Sequence, residues 1–477
     1  MKLFRLSFPA ALVGAMAVGG CTADVATAPA SFQLSASRSV SATDGAPQIA
    51  PRSVVVFNGN APANFESTVS AMGGRVLLNH RIGIAVVSGL DSSSAARLKS
   101  TVGAAFVEAQ PDFQLIEPAA KTAPELASLD AGVSPLSTSN PAGAILFSRQ
   151  WNMRAIHADA AWQAGYLGSK EVRVAILDTG IDYMLPDLSG LVDLSHSVSF
   201  EPVDDFYTAL LFPGRHPSTD LHFHGTNVAT QVSSNAWAFA GVTSKTTLMS
   251  VKVCSVVGGC HGVIQGILYA IDNGADVINM SLGGWFQKSA YPGEVAAFDR
   301  IMNYAKQQGV TVVVAAGNDG DDLDTQKNIA IKDASGNIVD RIHVPSFFAT
   351  YCDATQVICV SAVRQNDVPA SYTNHGRSAI DVAAPGGDSG EWVYALCPQT
   401  SLLYGCSAGY YTLGVAGTSQ ATPHVSGLAA LMVQRFGRKP SQIKNAIRQS
   451  ADDLGQPGND PYFGAGRINV ARAVGLN

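Results

Sequence analysis

Short apolar runs alternate with helix-like stretches through the middle of this chain, and that alternation restricts its fold more than any other feature. Val172–Leu177, Leu248–Val253, Val277–Ser281 and Val310–Ala315 are mostly apolar, as strands covered on both sides must be. Between and beside them His224–Ser234, Val263–Asp272 and Val295–Gln308 show helical spacing. Strand, helix, strand in this order predicts a mostly parallel, doubly wound sheet of the α/β class. With 477 residues, 47% of them hydrophobic, the chain can bury one large core and a smaller one.

The smaller one lies upstream. Lys2 and Arg5 precede the apolar Ala10–Val18, so residues 1–20 read as a secretory signal ending at Cys21. The stretch to residue 51 is rich in Ala, Ser, Thr and Pro, and reads as a flexible tether. From Arg52 the pattern changes. Strands at 53–57, 75–78, 82–87, 104–108 and 113–116, with helices at 63–72 and 92–98, predict a small α+β unit over 52–117. A second Ala/Ser/Pro-rich linker, 118–145, leads into the α/β unit, 146–477.

Composition removes several function classes. A net charge of −6 without a basic block argues against nucleic acid as a partner. Beyond the N-terminus no apolar run is long enough to span a bilayer. Setting Cys21 aside leaves six cysteines in an exported chain, lying as neighbours: Cys254 with Cys260, Cys352 with Cys359, Cys397 with Cys406. Local disulfides are expected. A metal cluster lacks the Cys-x-x-Cys spacing.

The chemistry gathers around Gly417-Thr418-Ser419-Gln420-Ala421-Thr422-Pro423-His424, which leads into the apolar Val425–Val433. A helix there puts Ser419 at its N-terminus, where unpaired N–H groups stabilise a negative oxygen, and Pro423 suits a first helical turn. A serine hydroxyl needs a base to take its proton and an acid to orient that base. His224-Gly-Thr-Asn opens one helix, and Asp178-Thr-Gly ends one strand. Thr311–Asn318 is a buried strand delivering an asparagine, and Asn279-Met-Ser-Leu-Gly-Gly284 is a strand ending in glycines. His216, Asp220, His222 and His224 crowd one segment and could be read as metal ligands, but no second cluster completes a tetrahedral set.

Taken in order, the Asp178, His224, Asn318 and Ser419 segments resemble those of the subtilisin-like serine proteases. Gln420 departs from the methionine usual there. The resemblance implies an Asp178–His224–Ser419 triad, an oxyanion donor in Asn318, and a substrate edge at Ser281, Leu282 and Gly283. The Gly387-Asp388-Ser389-Gly390 segment, which is like the nucleophile segment of chymotrypsin-like proteases, is discounted, because Glu391 follows where glycine is needed. Residues 52–117 resemble the family's inhibitory propeptide, which templates folding, caps the cleft and is cut away in or beside the second linker. Val18-Gly19-Gly20-Cys21 resembles a bacterial lipobox, which implies a lipidated Cys21 and an anchor in the cell envelope, at the outer membrane since Thr22 replaces the retaining aspartate; the alternative is plain secretion. No cofactor is required. Calcium, common in the family, stays open as a structural ion, with Asp187 and Asn235 as its suggested ligands in a loop shorter than usual. The expected protein is an exported serine endopeptidase made as a proenzyme, with proteins or peptides as substrates, its own propeptide as partner, a membrane reached through the lipid anchor and no nucleic acid. The competing class is a non-catalytic lipoprotein binding peptides on the same scaffold; the intact set of four residues weighs against it.

Overall fold

The computed structural model describes residues 47–111, 113–115, 125–127, 140–324, 329–332, 338–342, 347–349, 351–403, 406 and 411–476. The expected signal, Cys21, nearly all of the tether and most of the second linker lie outside the described residues.

The first unit comprises β1 (Arg52–Val56), α1 (Phe65–Ala71), β2 (Arg75–His80), β3 (Ile84–Ser88), α2 (Ser92–Val102) and β4 (Phe106–Ala109). Its antiparallel sheet has the order β2-β3-β1-β4. The valines of β1 point alternately to two cores. Val55, Ala85 and Val87 pack under the helices with Phe65, Val69 and Leu98, while Val54, Val56, Ile84 and Val86 join the core of the larger unit. Both faces of this sheet are therefore covered, which explains why β1 shows no polar alternation. α2 starts on Asp91, whose carboxylate accepts from Ser94 N at 2.7 Å, and ends at Gly103 with φ 65°. It runs past the expected Leu98 because nothing before that glycine stops it. β5 (Gln114–Leu115) and β6 (Glu125–Ala127) follow. Neither joins the first sheet, so the strand expected at 113–116 is reassigned.

The larger unit continues with α3 (Trp151–Ala155), α4 (Ala158–Gln163), β7 (Arg173–Asp178), β8 (Val198–Ser199), α5 (Pro202–Leu211), α6 (His224–Val232), β9 (Thr247–Lys252) and α7 (Val263–Asp272). Next come β10 (Val277–Met280), β11 (Leu282–Gly283), β12 (Trp285–Gln287), α8 (Pro292–Gln307) and β13 (Thr311–Ala315). The hairpin β14 (Ile329–Lys332) and β15 (Ile338–Ile342) lies in a polar insertion, before β16 (Phe347–Ala349), β17 (Ile358–Val363), β18 (Val382–Pro385) and β19 (Val393–Leu396). β20 (Thr412–Val415), α9 (Thr418–Phe436), α10 (Pro440–Gln449) and α11 (Val470–Ala473) close it.

Seven strands form one parallel sheet in the order β18-β17-β13-β10-β7-β9-β8. Its two faces read directly from β7. Val174 and Ile176 pack with Val228 and Val232 of α6 and Leu428 of α9, whereas Ala175 and Leu177 pack with Ile267 of α7 and Phe298 of α8. The fold is thus the expected α/β, doubly wound one. The three disulfides join the expected neighbours, Cys254–Cys260, Cys352–Cys359 and Cys397–Cys406. Among the described residues no helix is long and apolar enough to cross a membrane.

The first unit sits on α7 and α8. Arg52 Nη1 donates to His261 O at 2.7 Å and Arg300 Nη1 to Phe57 O at 2.6 Å. His80 Nε2 is bonded to Asp272 at 2.8 Å. Glu108 accepts from Gly293 N in the first turn of α8, also at 2.8 Å.

Candidate active site

In a parallel α/β sheet the strand ends and helix starts meet at one edge, and polar side chains gather there. β7 delivers Asp178 to that edge as its last residue, and α6 begins at His224. His224 Nδ1 contacts both oxygens of Asp178, at 2.8 and 3.0 Å, and both side chains are buried. Thr179 N donates to the same carboxylate at 2.8 Å. Asp178 thereby favours the tautomer with its proton on Nδ1, which makes Nε2 the basic nitrogen.

Ser419 is the second residue of α9, after Gly417 at the cap, and is buried. The helix starts several residues before the apolar run that signalled it, so Pro423 lies inside it and not in its first turn. A proline has no N–H for the carbonyl four residues back. That carbonyl belongs to Ser419, and Ser281 Oγ donates to it instead, at 2.8 Å. Ser281 is held in turn by Asn279 Nδ2 at 3.1 Å, and Asn279 Oδ1 accepts from Ser426 Oγ at 2.8 Å. Ser419 Oγ points back at Ser281 O, 3.3 Å away. Sequence reasoning assigned Ser281 a backbone role and missed its hydroxyl; the proline four positions after Ser419 was the available signal.

Asn318 follows β13 and is nearly buried. Its Oδ1 accepts from Thr418 N and Thr418 Oγ1, both at 2.9 Å. With the amide oxygen occupied by Thr418, Nδ2 is the group presented as donor. Thr418 is what orients it.

The edge expected to take substrate is paired with an upstream segment of the same chain. β11 pairs antiparallel with β5, Leu282 opposite Leu115 and Gly283 opposite Gln114. Just upstream, Phe113 is buried against Phe286, Phe298 and Tyr351, and its carbonyl accepts from Cys260 N at 2.8 Å. β6 then pairs with β20, the strand leading to Ser419, with Gly414 opposite Glu125.

The histidine-rich segment gathers no metal set. Among the described residues no three His, Cys, Asp or Glu side chains are grouped to hold an ion. Asp220, pushed up to about 6 by burial, spends its oxygens on Thr179, His222 and Thr226. The two suggested calcium ligands are engaged with protein groups. Asp187, raised to about 6 by burial, accepts through Oδ1 from Ser234 Oγ at 3.1 Å, Ala238 N at 2.9 Å and Phe239 N at 2.8 Å. Asn235 turns its amide hydrogens to Pro186 O and Ser189 O, at 3.0 and 2.8 Å. Ser389 lies in a turn closed by Glu391 N on Asp388 O at 2.9 Å, and its own N–H donates to Asp388 Oδ1 at 2.8 Å.

The chain is similar to known proteins over most of its length. The model of the Subtilase family matches residues 169–466. Thermitase from Thermoactinomyces vulgaris is 33% identical over 332 residues, 69% of this chain and 96% of that one. Subtilisin amylosacchariticus from Bacillus subtilis subsp. amylosacchariticus is 30% identical over 394 residues, 81% of this chain and 88% of its own length. Among solved structures, the epidermin leader peptide processing serine protease of Staphylococcus aureus superposes with a TM-score of 0.67 at 22% identity, covering 90% of this chain and 98% of that one, a likeness of fold.

Proposed function

The chain belongs to the subtilase family, and from that membership we propose that it is an exported proenzyme whose Asp178, His224 and Ser419 cleave peptide bonds. It is a subtilisin-like serine endopeptidase acting on proteins or peptides. The contacts above support these residue roles, and the observation that carries the reading is the double contact of Asp178 with His224 Nδ1.

Ser419 Oγ attacks the scissile carbonyl carbon while His224 Nε2 takes its proton. Asp178 holds the ring and stabilises the imidazolium that forms. The carbonyl oxygen becomes an oxyanion, received by Asn318 Nδ2 and the Ser419 N–H at the start of α9. As the C–N bond breaks, His224 returns the proton to the departing amine. Water then repeats the sequence on the acyl-enzyme ester, with His224 taking its proton, and the acid product leaves. Ser281, Leu282 and Gly283 hold the substrate strand by β-augmentation.

We assign residues 52–117 as the inhibitory propeptide. Occupation of β11 by β5 supports this reading, because a substrate needs that same edge. The cut falls in the 118–145 linker or at its edges. Residues 1–20 are the signal, Cys21 is the lipidated residue and 21–51 the tether to the envelope, a reading carried by the sequence alone. No cofactor enters the reaction. The test is intact mass: wild type sheds a fragment ending near the second linker, and Ser419→Ala stays whole. Shedding by Ser419→Ala in pure form removes the self-processing reading.

A further inference from the structure

We propose that Asp220 is a positioning residue of this reaction, its buried carboxylate bracing Asp178 and His224 against each other. The inference rests on the triad assigned above. The sequence had offered Asp220 as a metal ligand; the structure gives it a different task.

Its two oxygens accept four hydrogen bonds from both sides of the site. Oδ1 takes Thr179 Oγ1 and His222 N, each at 2.9 Å, and Oδ2 takes Thr226 N at 2.9 Å and Thr226 Oγ1 at 2.6 Å. Thr179 adjoins Asp178 on the turn after β7, and Thr226 lies in the first turn of α6, which His224 opens. Both hydroxyls also accept across the gap: Gly225 N donates to Thr179 Oγ1 at 2.9 Å, and Asp182 N to Thr226 Oγ1 at 3.0 Å. Two relays therefore cross in opposite directions, strand to helix and helix to strand, and both end on one carboxylate.

The gap is also set by backbone contact. A Cβ on Gly225 would sit 2.1 Å from Gly180 O, so turn and helix already touch. α6 lacks a side-chain cap from the residue preceding it, Phe223, and Asp220 supplies the missing acceptor to Thr226 N. Asp220 is fully buried. Such a group is costly unless every acceptor position is met, and here it is.

An amide cannot take its place. Each oxygen receives one backbone N–H and one hydroxyl, so whichever way the side chain of an Asp220→Asn variant faced, its NH2 would meet a backbone N–H that can only donate. With the brace lost, the Asp178–His224 alignment slips, and a displacement near 1 Å can cost about 100-fold in rate.

The test uses the full chain, matured and titrated at the active site so that rates refer to competent enzyme. Asp220→Asn lowers kcat about 100-fold, leaves KM within about threefold, and moves the pH profile of kcat/KM by altering the environment of His224. Thr226→Val keeps the side chain's shape, removes one relay and gives a smaller fall with the same displacement of the profile; Thr226→Ser restores wild-type behaviour. Thr226→Val decides the matter if Asp220→Asn does not fold. Variants that lose only Tm, with kcat and profile unchanged, overturn the proposal. Ser419→Ala, cut free of its first unit by an added unrelated protease that is then removed and run beside them, separates the two layers: retained activity there refutes the triad, whereas abolished activity with normal Asp220 and Thr226 variants refutes only the brace.

Discussion

Release of the first unit should be driven by rising pH, and the group responsible is Glu294. It lies in the first turn of α8, fully buried beneath the docked unit, with neither carboxylate oxygen in a hydrogen bond of good geometry. The groups facing it are Glu108 of β4, the Gln110 amide and Tyr351, while Lys99 of α2 acts on Glu108. Among the described residues no cation faces Glu294. Burial, reinforced by Glu108, pushes its carboxyl from 4.5 up to about 8. Once undocked, the same residue is exposed at a helix N-terminus and returns to the ordinary carboxylate range. Docking thus takes up a proton. A carboxyl raised in the docked state stabilises docking fully below its undocked value, and that contribution is lost as pH rises through the docked value. Between these limits the affinity falls about tenfold per pH unit, about 100-fold from pH 5.5 to 7.5 and about 5 kcal/mol over the whole range. The assay is inhibition of the mature enzyme by added residues 52–117, with Ki measured across this range. Glu294→Gln, neutral at every pH, should flatten the slope, apart from a part left to Glu108, itself raised by burial. An undiminished slope in Glu294→Gln refutes the reasoning.

Three further outcomes follow from single contacts. Asn318→Ala removes one oxyanion donor and should lower kcat by about 100- to 1,000-fold with little change in KM; steady-state kinetics on a peptide substrate checks this. Ser281→Ala strips the Ser419 carbonyl of the partner that replaces the missing proline N–H, so unfolding by denaturant should show a loss of about 1–3 kcal/mol, accompanied by slower turnover. Asn235→Ala deletes two amide hydrogen bonds and should lower Tm, and because an amide holds that loop, added calcium should not restore it; recovery with calcium in a thermal melt would return the loop to the ion.

The fold was legible where burial on both faces writes itself as unbroken apolar runs. β7 shows this best, since Val174 and Ile176 serve one core and Ala175 and Leu177 the other. Ser419 was legible at the start of α9, but Pro423 was not legible as lying beyond its first turn. The partners that bury the polar first turns of that helix were hidden because they lie far along the chain: Thr418 with Asn318, Ser419 with Ser281, and His424 with Asn152 at 2.8 Å. β5 was visible as a strand but not its pairing, because two residues carry no register and the partner strand lies far along the chain. Asp220 drew attention only through its histidine neighbours. Its real partners, Thr179 and Thr226, sit on a turn and a helix that sequence spacing cannot bring together.

The most direct test of the catalytic account is to locate the residue modified by a fluorophosphonate in the matured protein. Peptide mapping should place the adduct on Ser419, with no adduct in Ser419→Ala and labelling slowed by about 10⁴ in Asp178→Asn, where the wrong histidine tautomer is presented. An adduct on another serine, or labelling of Asp178→Asn at the wild-type rate, contradicts the roles assigned to Asp178, His224 and Ser419.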